Sequence, residues 1–275
     1  MKMLLTDAQV DSYRDNGFLV LNSVFGTDEV DAIRAAMARD SRSEGPHRIM
    51  QPHSGELSTL YASHQRVAEF GNLIRAPRLL TPAQTLLGGD VYLYQLKINV
   101  KEAFGGGKVA WHQDFAAWRI VDELPTPDLV NVALLLDEAT EFNGPLIFIP
   151  GSHTSGTLRA DKNDSAAPAP HLDPDDIALR PPHIAELVDE RGMISVQAPA
   201  GSLVLFSPQI VHGSVPNMSP TPRRLLIATY NRCVNLPRTS HPRPNYLVND
   251  DTTALSAVGD DFLTAPVQQT AGSAR

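Results

Sequence analysis

A histidine and an aspartate stand two residues apart in the sequence, as His112 and Asp114. Residues two apart on a β-strand point to the same side, so this imidazole and this carboxylate would reach one metal ion. Alone, the pair is a weak signal, because such a spacing arises often by chance in a chain with nine histidines. Its meaning depends on the ligands that other parts of the chain add.

A second histidine, followed by an arginine, strengthens this interpretation. His212 and Arg223 both come after the run Ser202–Phe206, whose apolar residues predict a strand. Two histidines and one carboxylate form the facial triad that leaves three positions of an Fe(II) ion open for other ligands. An arginine on the next strand would hold a dicarboxylate cosubstrate through a bidentate pair. Together, the residues predict an Fe(II) site with an anionic cosubstrate.

The elements that position these residues are predicted helices in the first third of the chain and short strands after it. Thr6 and Gln9 form a capping-box pattern for a helix that ends at Gly17, and two more helices are predicted from Thr27 and around residues 66–75. Strands are predicted at Phe18–Leu21, Val91–Val100, Leu129–Leu136, Leu146–Ile149, Gly201–Phe206 and Leu225–Tyr230. This order predicts a mainly β fold with flanking helices and a jelly-roll core, a cupin-like double-stranded β-helix.

The chain is expected to form one domain over residues 1–275. Residues 1–89 would form a mainly helical scaffold, residues 90–235 the jelly-roll core, and residues 236–275 a C-terminal extension, which we expect to fray after about Asn249. Residues from about 159 to 191 are rich in Pro, Asp and Ala, which predicts either a lid over the site or a flexible excursion.

Composition and charge exclude several classes of partner. The net charge is −8, from 23 basic and 31 acidic residues, which argues against binding to nucleic acid or anionic lipid. No apolar run approaches the roughly 20 residues that a membrane span needs. The single cysteine, Cys233, requires no oxidising compartment, and the N-terminus turns polar too early for a signal peptide. We therefore expect a cytoplasmic protein.

Segments around the candidate ligands carry a resemblance to a known family. They are residues 111–118, 143–153 and 212–223, with residues 130–140 and 229–232 in addition. The chain resembles the phytanoyl-CoA dioxygenase-like branch of the Fe(II)/2-oxoglutarate oxygenases up to about residue 250. Within that branch it is similar to bacterial ectoine hydroxylases and free L-proline trans-4-hydroxylases. The last two segments look closer to the proline enzymes.

The resemblance implies roles for the candidate site residues. His112, Asp114 and His212 would bind Fe(II), while Arg223, with help from Ser214, would bind the distal carboxylate of 2-oxoglutarate. Burying that carboxylate without a partner would cost on the order of 3–5 kcal/mol, which supports a cation at this place. The retained carboxylate ligand argues against the related halogenases, which carry a small residue there.

Residues for the substrate follow from the resemblance and from charge. Asn99 and Gln95 match strand positions that face the cosubstrate or the substrate, and Trp118 matches an aromatic wall of the substrate pocket. A free amino acid also needs a cation for its carboxylate. Lys97, on the polar face of its strand, and Arg119, next to the tryptophan, are the candidates.

The resemblance implies hydroxylation of a small amino acid, with O2 as oxidant, 2-oxoglutarate converted to succinate and CO2, and ascorbate as a reductant in vitro. Ile227 stands where the ectoine enzymes carry an aromatic contact, which favours L-proline and trans-4-hydroxy-L-proline as substrate and product. Ectoine, pipecolate or another secondary-metabolite amino acid is the alternative. A cupin-like metal-binding protein without turnover is the alternative from another class, in which Arg223 would have no role.

Three further features are expected to be structural. His153 lies in a Gly-Ser-His turn after the triad is already complete, so we assign it no ligand role. Glycines 105–107 lack the spacing of a phosphate-binding loop and predict a hairpin turn. Arg224 would face away from Arg223 as a surface or interface charge.

Overall fold

The strands form two antiparallel sheets, as seen in a computed structural model that describes residues 4–158 and 174–263. The larger sheet has seven strands in the order β1-β9-β6-β11-β4-β3-β2, and the smaller has four in the order β5-β10-β7-β8. The strands are β1 (Phe18–Leu21), β2 (Arg48–Met50), β3 (Leu57–Tyr61), β4 (Val91–Lys101), β5 (Val109–His112), β6 (Leu129–Leu135), β7 (Ile147–Phe148), β8 (Ile194–Ser195), β9 (Leu203–Phe206), β10 (His212–Ser214) and β11 (Arg223–Arg232). This is the predicted jelly roll.

Most of the helices cover the outer face of the larger sheet. Within the described ranges they are α1 (Asp7–Asn16), α2 (Thr27–Asp40), α3 (Ala68–Leu73), α4 (Pro77–Leu87), α5 (Asp114–Val121) and α6 (Pro181–Arg191). The capping box of Thr6 and Gln9 and the left-handed Gly17 bound α1 as predicted. Helix α2 begins at Thr27, but its cap is Gly26, whose N–H is held by the Glu29 carboxylate. Sequence patterns did not predict α4 or α5.

Two apolar layers hold the fold together. The first packs α1 to α4 against the outer face of the larger sheet, with Phe70, Leu79 and Ile98 among its buried side chains. The second fills the space between the two sheets, where Phe148 of the smaller sheet meets Phe206 of the larger one. Burial of such side chains contributes about 1.5–3 kcal/mol each, so the two sheets are fixed as the walls of the space between them.

Strand β4 presents a polar row to the inside of the jelly roll, and a β-bulge changes its phase. The register with β11 passes from Thr229 opposite Gln95 to Tyr230 opposite Leu93, so Tyr94 is an extra residue on β4. A bulge re-aims side chains and is common beside active sites. Strict alternation along Val91–Val100 predicts Gln95, Lys97 and Asn99 on one face and the apolar residues, with Tyr94, on the other. The structure agrees from Gln95 onward, but Tyr94 packs on the side of Trp118.

Two parts of the chain that lack periodicity contain packed or hydrogen-bonded residues in their described ranges. Of the predicted lid, residues 159–173 lie outside the described residues, while α6 packs Ile184 and Leu187 against Ile149. In the C-terminal extension, the N–H of Asn249 donates to the carbonyl of Tyr94 over 2.9 Å, so the predicted fraying does not begin there. Residues 264–275 lie outside the described part. None of the helices described is long and apolar enough to span a membrane.

The glycine-rich segment 105–107 does not form the predicted hairpin. It links β4 of the larger sheet to β5 of the smaller one, and these strands do not pair with each other. The carbonyl of Gly105 instead accepts the N–H of Asn217 over 2.9 Å. The segment is therefore a crossover that brings β5 over the polar row of β4.

Candidate active site

His112, Asp114 and His212 converge at one end of the smaller sheet. His112 ends β5 and His212 begins β10, and the two lie opposite each other in the antiparallel pair. Their Nε2 atoms are 3.6 and 3.9 Å from the two carboxylate oxygens of Asp114, and all three residues are buried. The expectation that Asp114 shares a strand with His112 is wrong. The strand ends at His112, and Asp114 is the first residue of α5.

Backbone carbonyls fix both imidazole rings. His112 Nδ1 donates to the carbonyl of Ala110 over 2.8 Å, and His212 Nδ1 donates to the carbonyl of Ile210 over 3.0 Å. Because a carbonyl only accepts, Nδ1 carries a proton in each ring, and in the neutral form of the ring Nε2 keeps its lone pair. The ring centroids are 4.2 Å apart, so the two imidazoles lie close enough to bind the same metal ion.

The electrostatics give these groups the protonation states that a divalent metal requires. Burial raises the pKa of the Asp114 carboxyl, but the charge of Lys97 and the two histidines outweigh burial and hold that pKa well below its usual range. Burial, followed by the charge of His112, lowers the pKa of His212 to about 4. At neutral pH Asp114 is therefore a carboxylate and His212 a neutral imidazole, which are the ligand forms of a metal site.

The donor set fits Fe(II). One ligand atom from each of the three residues lies within 4.8 Å of the others. Two imidazole nitrogens and one carboxylate oxygen are the ligands of the facial triad, which leaves positions open for a chelating cosubstrate and O2. These three residues would hold the ion.

A cavity of about 380 Å³ opens from the triad between the two sheets. Gln95, Lys97 and Asn99, the polar row of β4, line it together with Ser214, as the sequence predicted. Their contacts differ. Gln95 donates to the carbonyl of Leu247 over 2.7 Å, Asn99 accepts from the hydroxyl of Thr59 over 3.3 Å, and the Lys97 Nζ lies 4.0 Å from Asp114 Oδ1.

Two buried cations lie at the Ser214 end of this cavity. Arg223 is opposite Lys101 in the register of β11 and β4. The Arg223 guanidinium donates to the carbonyl of Gly144 over 3.1 and 2.7 Å, and the Lys101 ammonium donates to the carbonyls of Gly107 and Val215 over 2.5 and 2.7 Å.

Neither cation has an acidic partner within 4 Å among the described residues. Burial lowers the pKa of Arg223 to about 10, and burial together with the charge of Arg223 lowers the pKa of Lys101 to about 7. Two buried positive groups without a carboxylate are a site for an anion. Sequence analysis missed Lys101, although it continues the polar row of β4.

The substrate end of the cavity is aromatic and basic. Trp118 follows Asp114 by one helical turn, is buried, and packs edge-on against Tyr94 with ring centroids 5.2 Å apart. Arg119 points to solvent and does not line the cavity, because it lies on the opposite face of α5. The structure therefore does not bring this predicted residue to the site.

Arg243 takes a place in the cavity wall that the sequence did not predict. It comes from the C-terminal extension and makes a bidentate pair with Asp122 over 2.9 and 2.6 Å. The Tyr94 hydroxyl also donates to Asp122. Arg243 pairs with Asp122 because a buried carboxylate needs a cation as partner. The segment 236–248 has no periodicity that would have pointed to Arg243.

His153 and Arg224 lie outside the site. His153 Nε2 contacts the carbonyl of Arg14 over 2.9 Å, which supports the structural role expected for it. Arg224 is not a free surface charge, since it donates to both oxygens of Asp137 over 2.8 and 2.7 Å.

Comparison with known proteins decides the family. The phytanoyl-CoA dioxygenase (PhyH) family matches residues 13–225. This range is most of the chain and includes the triad, Lys101 and Arg223. The chain belongs to this family. A dioxygenase is therefore favoured over the cupin-like binding protein considered from the sequence.

Relatives of known activity agree with this family assignment. L-proline trans-4-hydroxylase from Streptomyces griseoviridis is 37% identical over 271 residues, which are 94% of this chain and 98% of that protein. Ectoine dioxygenase from Bordetella parapertussis is 32% identical over 257 residues, 88% of this chain and 82% of that protein. The two relatives share the dioxygenase class and differ in substrate.

Solved structures give the same fold. The crystal structure of EctD from S. alaskensis with 2-oxoglutarate and 5-hydroxyectoine superposes with a TM-score of 0.80, 26% identity, and coverage of 92% of this chain and 87% of that one. The form of EctD with bound Fe gives a TM-score of 0.78 at 27% identity, with the same coverage. This member of the PhyH family is an Fe(II)/2-oxoglutarate-dependent dioxygenase of the type that includes proline hydroxylase and ectoine dioxygenase.

Proposed function

We propose that this dioxygenase hydroxylates free L-proline to trans-4-hydroxy-L-proline. One oxygen atom of O2 becomes the new hydroxyl group, and the other enters succinate as 2-oxoglutarate loses CO2. The observation that carries the proposal is one cavity that joins a His-Asp-His triad to two unpaired buried cations. A cytoplasmic location stays a prediction.

Arg223 and Lys101 are the proposed partners of the distal carboxylate of 2-oxoglutarate. Both are buried, lack an acidic partner among the described residues, and line the cavity beside Ser214. An anion there relieves the desolvation of two cations at once, and Ser214 supplies a hydroxyl donor. The iron would bind the oxo-acid end of the cosubstrate and supply the activation of O2.

Lys97 and Arg243 are the proposed cations for the substrate carboxylate. Both line the cavity on the Trp118 side, away from the Arg223 end, and Lys97 lies nearest to the triad. Trp118 and Ile227 provide apolar surface for an aliphatic ring. Because Arg243 is already paired with Asp122, its position is fixed before a ligand arrives, which lowers the entropy cost of binding.

Ectoine is the second candidate substrate, because ectoine dioxygenases are close relatives in sequence and EctD is close in structure. Proline is favoured by the higher identity and nearly complete coverage of the proline enzyme, and by Ile227, which leaves this wall without an aromatic ring. Pipecolate and other small cyclic amino acids present the same carboxylate to the same cations.

The test is succinate formation by the purified protein with Fe(II), ascorbate, 2-oxoglutarate and O2, across a panel of L-proline, pipecolate, ectoine and other amino acids. We expect proline to stimulate succinate formation most, with a product 16 mass units heavier that matches trans-4-hydroxy-L-proline on chromatography. Stronger stimulation by ectoine would replace the proposed substrate. Succinate formation that no panel member stimulates would refute the amino-acid proposal as a whole.

A further inference from the structure

We propose that Asn131, held by Thr229, is a positioning residue that keeps Asp114 a monodentate metal ligand. Asn131 Nδ2 donates to Asp114 Oδ2 over 2.8 Å, and the Thr229 hydroxyl donates to Asn131 Oδ1 over 2.7 Å. Both residues are fully buried. The inference concerns the metal centre and is independent of which substrate is hydroxylated.

The strand register builds this chain of hydrogen bonds. Asn131 of β6 and Thr229 of β11 are direct cross-strand partners, so their side chains lie side by side on the inner face of the larger sheet. A carboxylate only accepts hydrogen bonds, so the amide nitrogen of Asn131 must face Asp114. The Thr229 hydroxyl enforces that orientation by occupying the amide oxygen, because a reversed amide would set oxygen against carboxylate.

The number of open metal positions depends on this contact. A six-coordinate Fe(II) with three protein ligands has three positions left, and a chelating oxo acid with O2 needs all three. If both oxygens of Asp114 bound the ion, one of those positions would be lost. Both oxygens lie near the imidazoles, Oδ1 3.6 Å from His112 Nε2 and Oδ2 3.9 Å from His212 Nε2. The hydrogen bond from Asn131 engages Oδ2 and thereby favours Oδ1 as the ligand atom.

Burial makes the contact strong and specific. Asn131 is shielded from water, and a hydrogen bond to a charged acceptor in a buried site is about twice as strong as a neutral one. Groups that orient metal ligands in this way typically contribute 10- to 100-fold to metal affinity or activity. Asn131 itself does not line the cavity, so it acts through Asp114 alone.

The experiment uses Co(II) as a metal probe, because its affinity and its ligand-field absorption report the ligand set without turnover. The variants are Asn131→Leu, Thr229→Val and the conservative Thr229→Ser. The matched control is Asn231→Leu, which removes another fully buried amide from β11, one that bonds to the Tyr92 hydroxyl and to Asn235 and not to Asn131 or Asp114.

We expect Asn131→Leu to weaken Co(II) binding 10- to 100-fold and to change the absorption spectrum. Thr229→Val should weaken Co(II) binding 2- to 10-fold, whereas Thr229→Ser, which keeps the hydroxyl, should bind Co(II) as the parent does. Asn231→Leu should lower stability to unfolding but bind Co(II) within twofold of the parent. Co(II) affinity and spectrum unchanged in Asn131→Leu would overturn the proposal. If that variant does not fold, equal affinities of the two Thr229 variants would overturn it.

Discussion

Replacing Arg223 with methionine is expected to leave the fold nearly as stable while removing the cosubstrate site. Burial lowers the pKa of Arg223 to about 10, so its charge is destabilised by about 3 kcal/mol relative to water. Its hydrogen bonds to the Gly144 carbonyl return about 2–3 kcal/mol. The two contributions nearly cancel, so the free energy of unfolding in the absence of 2-oxoglutarate should change by no more than about 1 kcal/mol.

Binding of 2-oxoglutarate should respond quite differently to this change. Without the guanidinium, the distal carboxylate is buried beside a single ammonium, that of Lys101, which itself has a pKa of about 7. Losing one partner of a buried ion pair costs about 3–5 kcal/mol. That corresponds to a dissociation constant for 2-oxoglutarate that is roughly 10²- to several 10³-fold larger.

The assay combines urea unfolding of the metal-free protein with anaerobic titration of 2-oxoglutarate into the Co(II)-loaded protein. Arg224→Met is the matched control, because Arg224 adjoins Arg223 but pairs with Asp137 on the other face. That variant should lose about 1 kcal/mol of stability and keep its affinity for 2-oxoglutarate. If the Arg223→Met variant bound 2-oxoglutarate with a dissociation constant within tenfold of the parent value, Arg223 would not be the cation that holds the distal carboxylate.

Three further predictions follow from the same cavity. The affinity for 2-oxoglutarate should fall as the pH rises above about 7, because the anion binds to charged Lys101 and Lys101 of the ligand-free protein loses its proton near that pH. Lys101→Met should flatten this pH profile, and a profile unchanged by the substitution would contradict the assignment. Lys97→Met should raise the substrate KM at least tenfold while substrate-independent succinate formation stays within about twofold, whereas equal loss of both would sink the role in substrate binding. Gly144→Ala should cost about 2–4 kcal/mol and disturb the cosubstrate site, because its Cβ would lie 2.5 Å from the Val215 carbonyl oxygen and 2.7 Å from the Lys101 side chain; Gly88→Ala, in the left-handed region with open space around it, should cost only about 1 kcal/mol in urea unfolding.

The metal site was predictable because its residue types are chemically restricted. His112, Asp114, His212 and Arg223 were found from type and spacing, although the local reason given for Asp114 was wrong. The strand that carries His112 ends there, and Asp114 starts α5. A ligand pair can therefore be recognised even where the backbone between its members is misjudged, since either geometry brings the two side chains together.

The residues that escaped prediction depend on tertiary structure. Lys101 acquires its meaning from Arg223 opposite it on β11, and Arg243 from a buried Asp122 that is distant in sequence. Arg119 was misplaced because the sequence did not predict α5 and therefore could not show the face of that helix on which Arg119 lies. Asn131 lies in an apolar strand, and the pattern of that strand predicts only burial. Its amide became a candidate positioning group only when the structure placed it 2.8 Å from Asp114 Oδ2.

The most direct test of the account is a labelling experiment in ¹⁸O2 with Fe(II), 2-oxoglutarate and L-proline. A dioxygenase built on this triad should place one labelled atom in hydroxyproline and one in succinate, with the proline-dependent part of the succinate equal in amount to the hydroxyproline, and His112→Ala should form neither product. A hydroxylated product without label, or labelled succinate that does not depend on proline or any other amino acid offered, would contradict the claim that this cavity couples cosubstrate oxidation to hydroxylation.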